Sequence, residues 1–172
     1  MKVKTMVQCA LFSALICICA WLSVPVGHIV FTMQTFGVFL TLLLLGGKRG
    51  TVAVFVYLLL GAVGLPVFSG FRGGIGALLG PTGGYLLGFL VMSLCYWVLN
   101  AVFGEKPVTS AVGLCAGLLL CYSFGICWSV FYFGEGSIGA VLLQSVVPYL
   151  LPDCLKLMLA QLCARKLKRF VY

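Results

Sequence analysis

The chain has 172 residues, 63% of them hydrophobic and only 8% charged, with a formal net charge of +8. A water-soluble domain carries about a quarter charged residues, so this composition excludes a soluble globular protein and indicates an integral membrane protein. The surplus cations do not indicate nucleic-acid binding, because they gather in short segments between long apolar runs.

Between Thr5 and Gly47 only His28 is a candidate for ionisation, and Gly50–Phe71, Gly73–Gly104 and Pro107–Gly134 carry no charge. Each run can supply the ~20 apolar residues that a membrane-crossing helix needs. The first is long enough for two crossings and is broken by Pro25-Val-Gly-His28. The expected architecture is an all-α compact bundle of six transmembrane helices in a single membrane-embedded domain, 1–172. The spans fall at about 5–24, 31–46, 51–68, 83–103, 108–133 and 148–168, with a short outer or re-entrant helix over 137–147. The N-terminal segment reads as a span rather than a cleaved signal, since five more spans follow and no small-residue cleavage site ends it. With both termini inside, Lys2, Lys4, Lys48, Arg49, Lys106, Arg165, Lys166, Lys168 and Arg169 lie on the inner side. Arg72 alone lies outside, as the positive-inside bias expects of a plasma-membrane protein with this topology.

In chain order, span one carries Ala10 and Ala14 four residues apart, with Ser13 beside them. Small residues at this spacing make a shallow groove for another helix, within the chain or from a partner. Residues 25–34 read as an outer loop entering span two. There His28 suits the interface, and Gln34 is suited equally to a ligand or to a neighbouring helix. Gly46-Gly-Lys-Arg-Gly50 is a short inner turn. The glycine-dense stretch Phe68–Phe89 follows span three on the outer side, with Arg72 as its one charge. Gly74-Ile-Gly-Ala-Leu-Leu-Gly80 imitates a dinucleotide loop, but its spacing is one residue too long and no βαβ unit surrounds it. Gly76, Gly80, Gly84 and Gly88 recur every fourth residue, a pattern of close helix packing that Pro81 interrupts. The stretch therefore reads as a turn able to fold over a pocket, with Gly73, Gly74, Gly76, Gly80, Pro81, Gly83 and Gly84 shaping its backbone. The nine cysteines form no Cys-x-x-Cys and lie almost wholly in apolar runs, where cysteine packs as a small hydrophobe. No metal or other cofactor is expected.

Asp153 and Lys156 are the sharpest signal. Charges inside a span are costly and usually face a partner, a substrate or the bundle interior. Spacing of three places both on one helix face. One carboxylate to accept and one ammonium to donate suit a flat polar group bearing both N–H and C=O. The alternative is an ion pair that only locks the bundle. A ligand carboxylate would need a further cation, and Arg72 is the one available outside. No nucleophile–base pair, nucleotide loop or metal-ligand cluster occurs, so an enzyme is not expected.

Gly73-Gly-Ile-Gly and Gly80-Pro-Thr-Gly-Gly-Tyr-Leu-Leu-Gly-Phe89 resemble the signature of the BioY family, biotin-specific S components of energy-coupling factor (ECF) transporters. Phe31-Thr-Met-Gln-Thr-Phe36, Pro152-Asp-Cys-Leu-Lys156 and the overall length extend the resemblance over nearly the whole chain. The resemblance implies biotin capture near the outer face, with Asp153 and Lys156 against the biotin ring system, whose ureido group has two N–H donors and one C=O. Gln34, Arg72 and Tyr85 complete the substrate-binding candidates. It further implies a transmembrane coupling subunit and two ATPase subunits as partners, with the Ala10/Ala14 face as the docking motif. Another vitamin as substrate, or a purely structural Asp–Lys pair, are the alternatives.

Overall fold

The computed structural model describes residues 3–26, 29–134, 139 and 146–171. The expected short helix over 137–147 lies almost wholly outside them, as does His28. Among the described residues, five helices are long and apolar enough to cross a membrane, and the chain is a multi-pass membrane protein. They are α1 (Val3–Trp21), α2 (Gln34–Ala62), α4 (Gly83–Phe103), α5 (Pro107–Phe133) and α6 (Val147–Val171). A four-residue helix, α3 (Ile75–Leu78), and a 3-10 turn at Ser69–Phe71 stand between α2 and α4.

The second of these helices is a hairpin. Gly46 has φ 76 and ψ 174, a conformation that only glycine adopts cheaply, and it reverses the chain. The reversal brings Gln34 Nε2 within 2.8 Å of the Tyr57 hydroxyl. In a straight helix those residues would be about 35 Å apart at 1.5 Å per residue. The two arms take the places of spans two and three, giving six membrane-level helical segments. The second arm stops at Ala62, ahead of the expected 68, because the chain turns through Gly64 (φ 110) before Pro66.

Residues 25–34, read as an outer loop, instead contribute to a two-stranded antiparallel ribbon of β1 (Ser23–Val26) and β2 (Ile29–Thr32), in register Ser23↔Thr32 and Val24↔Phe31. Helix α2 begins at Gln34 rather than at 31. The ribbon satisfies backbone N–H and C=O groups that an irregular loop at this depth would leave unpaired.

The core is apolar and centred on α2, with Val38, Phe39, Leu42, Val54 and Tyr57 fully buried against α1, α4 and α6. Helices α4 and α5 meet along a seam of glycines. A Cβ at Gly88 would lie 2.8 Å from the Cys121 sulfur, and one at Gly117 2.7 Å from Met92. Gly84 lies under the Trp128 ring and Gly125 under that of Tyr85. Lacking side chains, these residues let the helix backbones approach closely, which is how membrane helices gain packing energy when lipid is as apolar as the core.

Candidate functional site

A buried polar centre is built on the first half of α6. Asp153 and Lys156 are 2% and 4% exposed, and Lys156 Nζ lies 2.7 Å from Asp153 Oδ1. Their spacing along the helix puts them on one inward face. The first arm of α2 supplies Thr35, whose hydroxyl donates to Asp153 Oδ1 at 2.9 Å and accepts from Lys156 Nζ at 3.1 Å. From α5, Tyr122 donates to Asp153 Oδ2 at 2.6 Å. The end of β2 contributes the Thr32 carbonyl, 2.7 Å from Lys156 Nζ, and the Phe31 ring, whose centroid is 4.1 Å from the ammonium.

Lys156 therefore directs its three donors at Asp153, Thr35 and Thr32, and the Phe31 π face adds a cation–π contact. The pair is net neutral, and both carboxylate oxygens accept hydrogen bonds, the condition under which burying charge is tolerated. The adjoining β2 and α2, together with the sequence-distant α5 and α6, converge on this one point. The site can offer a carboxylate acceptor and an ammonium donor side by side.

The other predicted substrate residues divide. Gln34 is 4% exposed and belongs to a separate chain of bonds: its amide donates to the Tyr57 hydroxyl, which donates to the Val67 carbonyl at 3.3 Å. This chain ties the start of the glycine-dense loop to the core. Phe68 reinforces the tie, buried edge-on to Tyr57 at 5.6 Å. Tyr85 is half-buried at the α4–α5 seam against Gly125. Arg72 is exposed, and its carbonyl accepts from the Phe68 amide.

In the glycine loop, Gly74 has φ 89, which favours glycine, and its amide reaches the Gly61 carbonyl at 2.7 Å. Gly73 and Gly83 abut the carbonyls of Leu65 and Leu78, whereas Gly76 has open space where a side chain would stand. Gly80 and the exposed Pro81 begin the turn into α4, and the Gly80 carbonyl accepts from the Trp128 indole at 3.0 Å. A further tie joins the loop to α1: Trp21 donates to the Pro66 carbonyl at 2.8 Å and stacks on Phe71 at 5.3 Å.

Ala10 and Ala14 are both exposed on the outer face of α1, while Cys9, Ser13 and Ile16 point inward. Ser13, not the alanines, makes the contact within the chain, donating to the Ala53 carbonyl at 2.7 Å. Cys9, Cys17, Cys19 and Cys121 are buried packing residues, and all nine cysteines are thiols without a disulfide.

Comparison with known proteins follows the same lines. The sequence matches the BioY family over residues 1–172. The chain belongs to the BioY family. Among the family's members it is 41% identical over 169 residues to the biotin transporter BioY of Thermotoga maritima, covering 96% of each chain. It is 37% identical over 168 residues to a probable biotin transporter BioY of Pyrococcus horikoshii, covering 98% of each. Its fold superposes with a TM-score of 0.85 and 28% identity on the crystal structure of the S-component for biotin from an ECF-type ABC transporter, covering 98% of this chain and 92% of that one.

Thr35, Tyr122, Thr32 and Phe31 were not assigned to the site by sequence reasoning. Thr35, Thr32 and Phe31 do lie in the Phe31–Phe36 segment quoted for its likeness to BioY proteins. Tyr122 is one of several hydroxyl residues in a long apolar helix, and no local pattern marks it out.

Proposed function

We propose that this chain captures biotin at the outer face of the plasma membrane, as the substrate-binding S component of an ECF-type uptake system. The observation that carries the reading is the buried Asp153–Lys156 pair, in a chain related along its whole length to biotin transporters. Biotin's ureido ring presents N–H and C=O groups in one plane. Asp153 accepts from an N–H, Lys156 donates to the carbonyl, and Thr35 and Tyr122 hold the carboxylate in place. Arg72, exposed at the outer surface, is the candidate partner for the ligand's carboxylate, and Gln34 and Tyr85 line the apolar approach. The loop anchored by Val67, Phe68 and Trp21 closes over the ligand. Both termini face the cytoplasm, as the inner bias of cations suggests.

In this reading, uptake depends on a transmembrane coupling subunit and two ATPase subunits, because the chain has no nucleotide loop of its own. The exposed Ala10/Ala14 face of α1 docks on the coupling subunit. One observation favours a second reading, an ion pair that only locks the bundle: all three Lys156 donors have partners inside the protein. A binding screen of the detergent-solubilised chain against biotin, thiamine and riboflavin separates the readings. Biotin alone is expected to bind. A preference for another vitamin would replace the substrate, and no binding to any would favour the lock.

A further inference from the structure

The inner side of the bundle holds a second polar feature that substrate capture does not use. A cavity of about 130 Å³ opens between the end of the first α2 arm, the α4–α5 turn and the last turns of α6. Its floor is apolar, formed by Leu43 and Ala164, both buried. Its rim carries Lys106, Arg165 and Lys168 against one carboxylate, Glu105, a surplus of two positive charges. No ion pair joins Glu105 to these cations among the described residues. Its Oε1 lies 2.9 Å from where a Cβ on Gly46 would stand, so its charge sits at the hairpin side of the cavity.

The α6 residues at the cavity, Gln161, Arg165 and Lys168, are spaced by four and three and share one helix face. Gln161, half-buried, adds an amide donor above the cations. The opposite wall is stiffened by a hydrogen-bond network. Ser110 donates to Asn100 Oδ1 at 3.0 Å, and Asn100 donates to the Tyr96 carbonyl at 2.8 Å. The cavity is smaller than the ~300 Å³ of the smallest drug-sized sites, which suits one tetrahedral anion better than a nucleotide. Arginine offers a planar fork to phosphate oxygens, and lysine a mobile point charge. Val108 and Val112 of α5 and Leu162 of α6, close in sequence to the cavity residues Pro107, Ser110 and Gln161, are exposed apolar side chains suited to acyl chains. Basic pockets between membrane helices on the cytoplasmic side take anionic head groups by this chemistry.

We propose that this cavity binds the phosphate of an anionic phospholipid head group from the inner leaflet. The test uses the full chain, delipidated in neutral detergent, with thermal unfolding followed as phosphatidylglycerol, phosphatidylcholine or inorganic phosphate is titrated. A bound ligand raises the melting temperature in a saturable way. Phosphatidylglycerol is expected to do so strongly and phosphatidylcholine weakly. Arg165→Gln and Lys168→Gln should each weaken half-saturation about fivefold, whereas Lys166→Gln, which does not line the cavity, should leave it unchanged. Equal weakening by all three variants would reduce the effect to diffuse surface attraction and overturn the site. Protection by inorganic phosphate with none from phosphatidylglycerol would overturn the lipid assignment. Arg165→Lys, which keeps the charge, and native mass spectrometry of retained lipid give readouts that survive if a glutamine variant unfolds; an Arg165→Lys chain that retains no phosphatidylglycerol would also count against the proposal.

Discussion

In the first half of α6, Asp153 and Lys156 are almost wholly buried, paired 2.7 Å apart, and bonded to β2, α2 and α5. At its C-terminal end, Arg165, Lys166, Lys168 and Arg169 are exposed, one helix segment carrying four cations. The same helix thus handles charge in two ways, and solvation explains the difference. An ion removed from water must find a partner and hydrogen bonds or it destabilises the fold. An ion at the membrane surface keeps its hydration and can accumulate in excess, where it orients the chain and attracts anionic lipid. The buried centre is consequently fragile, because each charge depends on its partner, whereas the exposed cations do not depend on one another for solvation.

Unpairing the buried charges should have the largest effect. Lys156→Met leaves a buried carboxylate uncompensated and should cost about 3–5 kcal/mol of stability. The double variant Asp153→Asn/Lys156→Met should recover most of that loss in denaturant unfolding; an equally unstable double variant would show that the pair is not the unit. Tyr122→Phe removes the donor to Asp153 Oδ2 and should cost about 1.5–3 kcal/mol, as for other bonds to a charged group. Its unfolding midpoint in denaturant would report this, and a wild-type midpoint would mean that Tyr122 merely lies nearby.

Gly88→Ala tests packing rather than charge. Its new methyl would meet the Cys121 sulfur and backbone, costing about 1–3 kcal/mol by overpacking. Thermal unfolding would register the loss without a selective change in ligand affinity. The smallest stability effect is expected at Ala14→Leu, on the exposed face of α1, within about 0.5 kcal/mol. Biotin binding should persist while co-purification with a coupling subunit falls. Undiminished co-purification would assign docking to another face.

Much of this was legible in the sequence, for identifiable reasons. Charge-free runs marked the membrane segments because hydrocarbon forbids unpaired ions, and Asp153 and Lys156 stood out for the same reason. The reversal at Gly46-Gly-Lys-Arg-Gly50 was legible because glycines and cations punctuate an apolar run there. Thr35 and Tyr122 were not, since a single neutral hydroxyl costs little in any helix. Their roles arise only when partners 118 and 31 residues away are brought alongside. The sequence suits Gln34 equally to a ligand or a neighbouring helix, and its amide donates to the Tyr57 hydroxyl of the facing α2 arm. The ribbon at 23–32 was hidden because Pro25 and Gly27 read as loop, although Val24, Val26, Ile29 and Val30 suit a short strand pair.

The central claim is that the buried pair recognises biotin, and isothermal titration of biotin into the solubilised chain tests it most directly. Wild-type protein should bind. Asp153→Asn and Lys156→Ala, each first checked to be folded, should weaken binding by at least about tenfold, since each leaves a polar partner unmatched. Wild-type affinity in both variants would contradict the account and leave the pair as a structural lock.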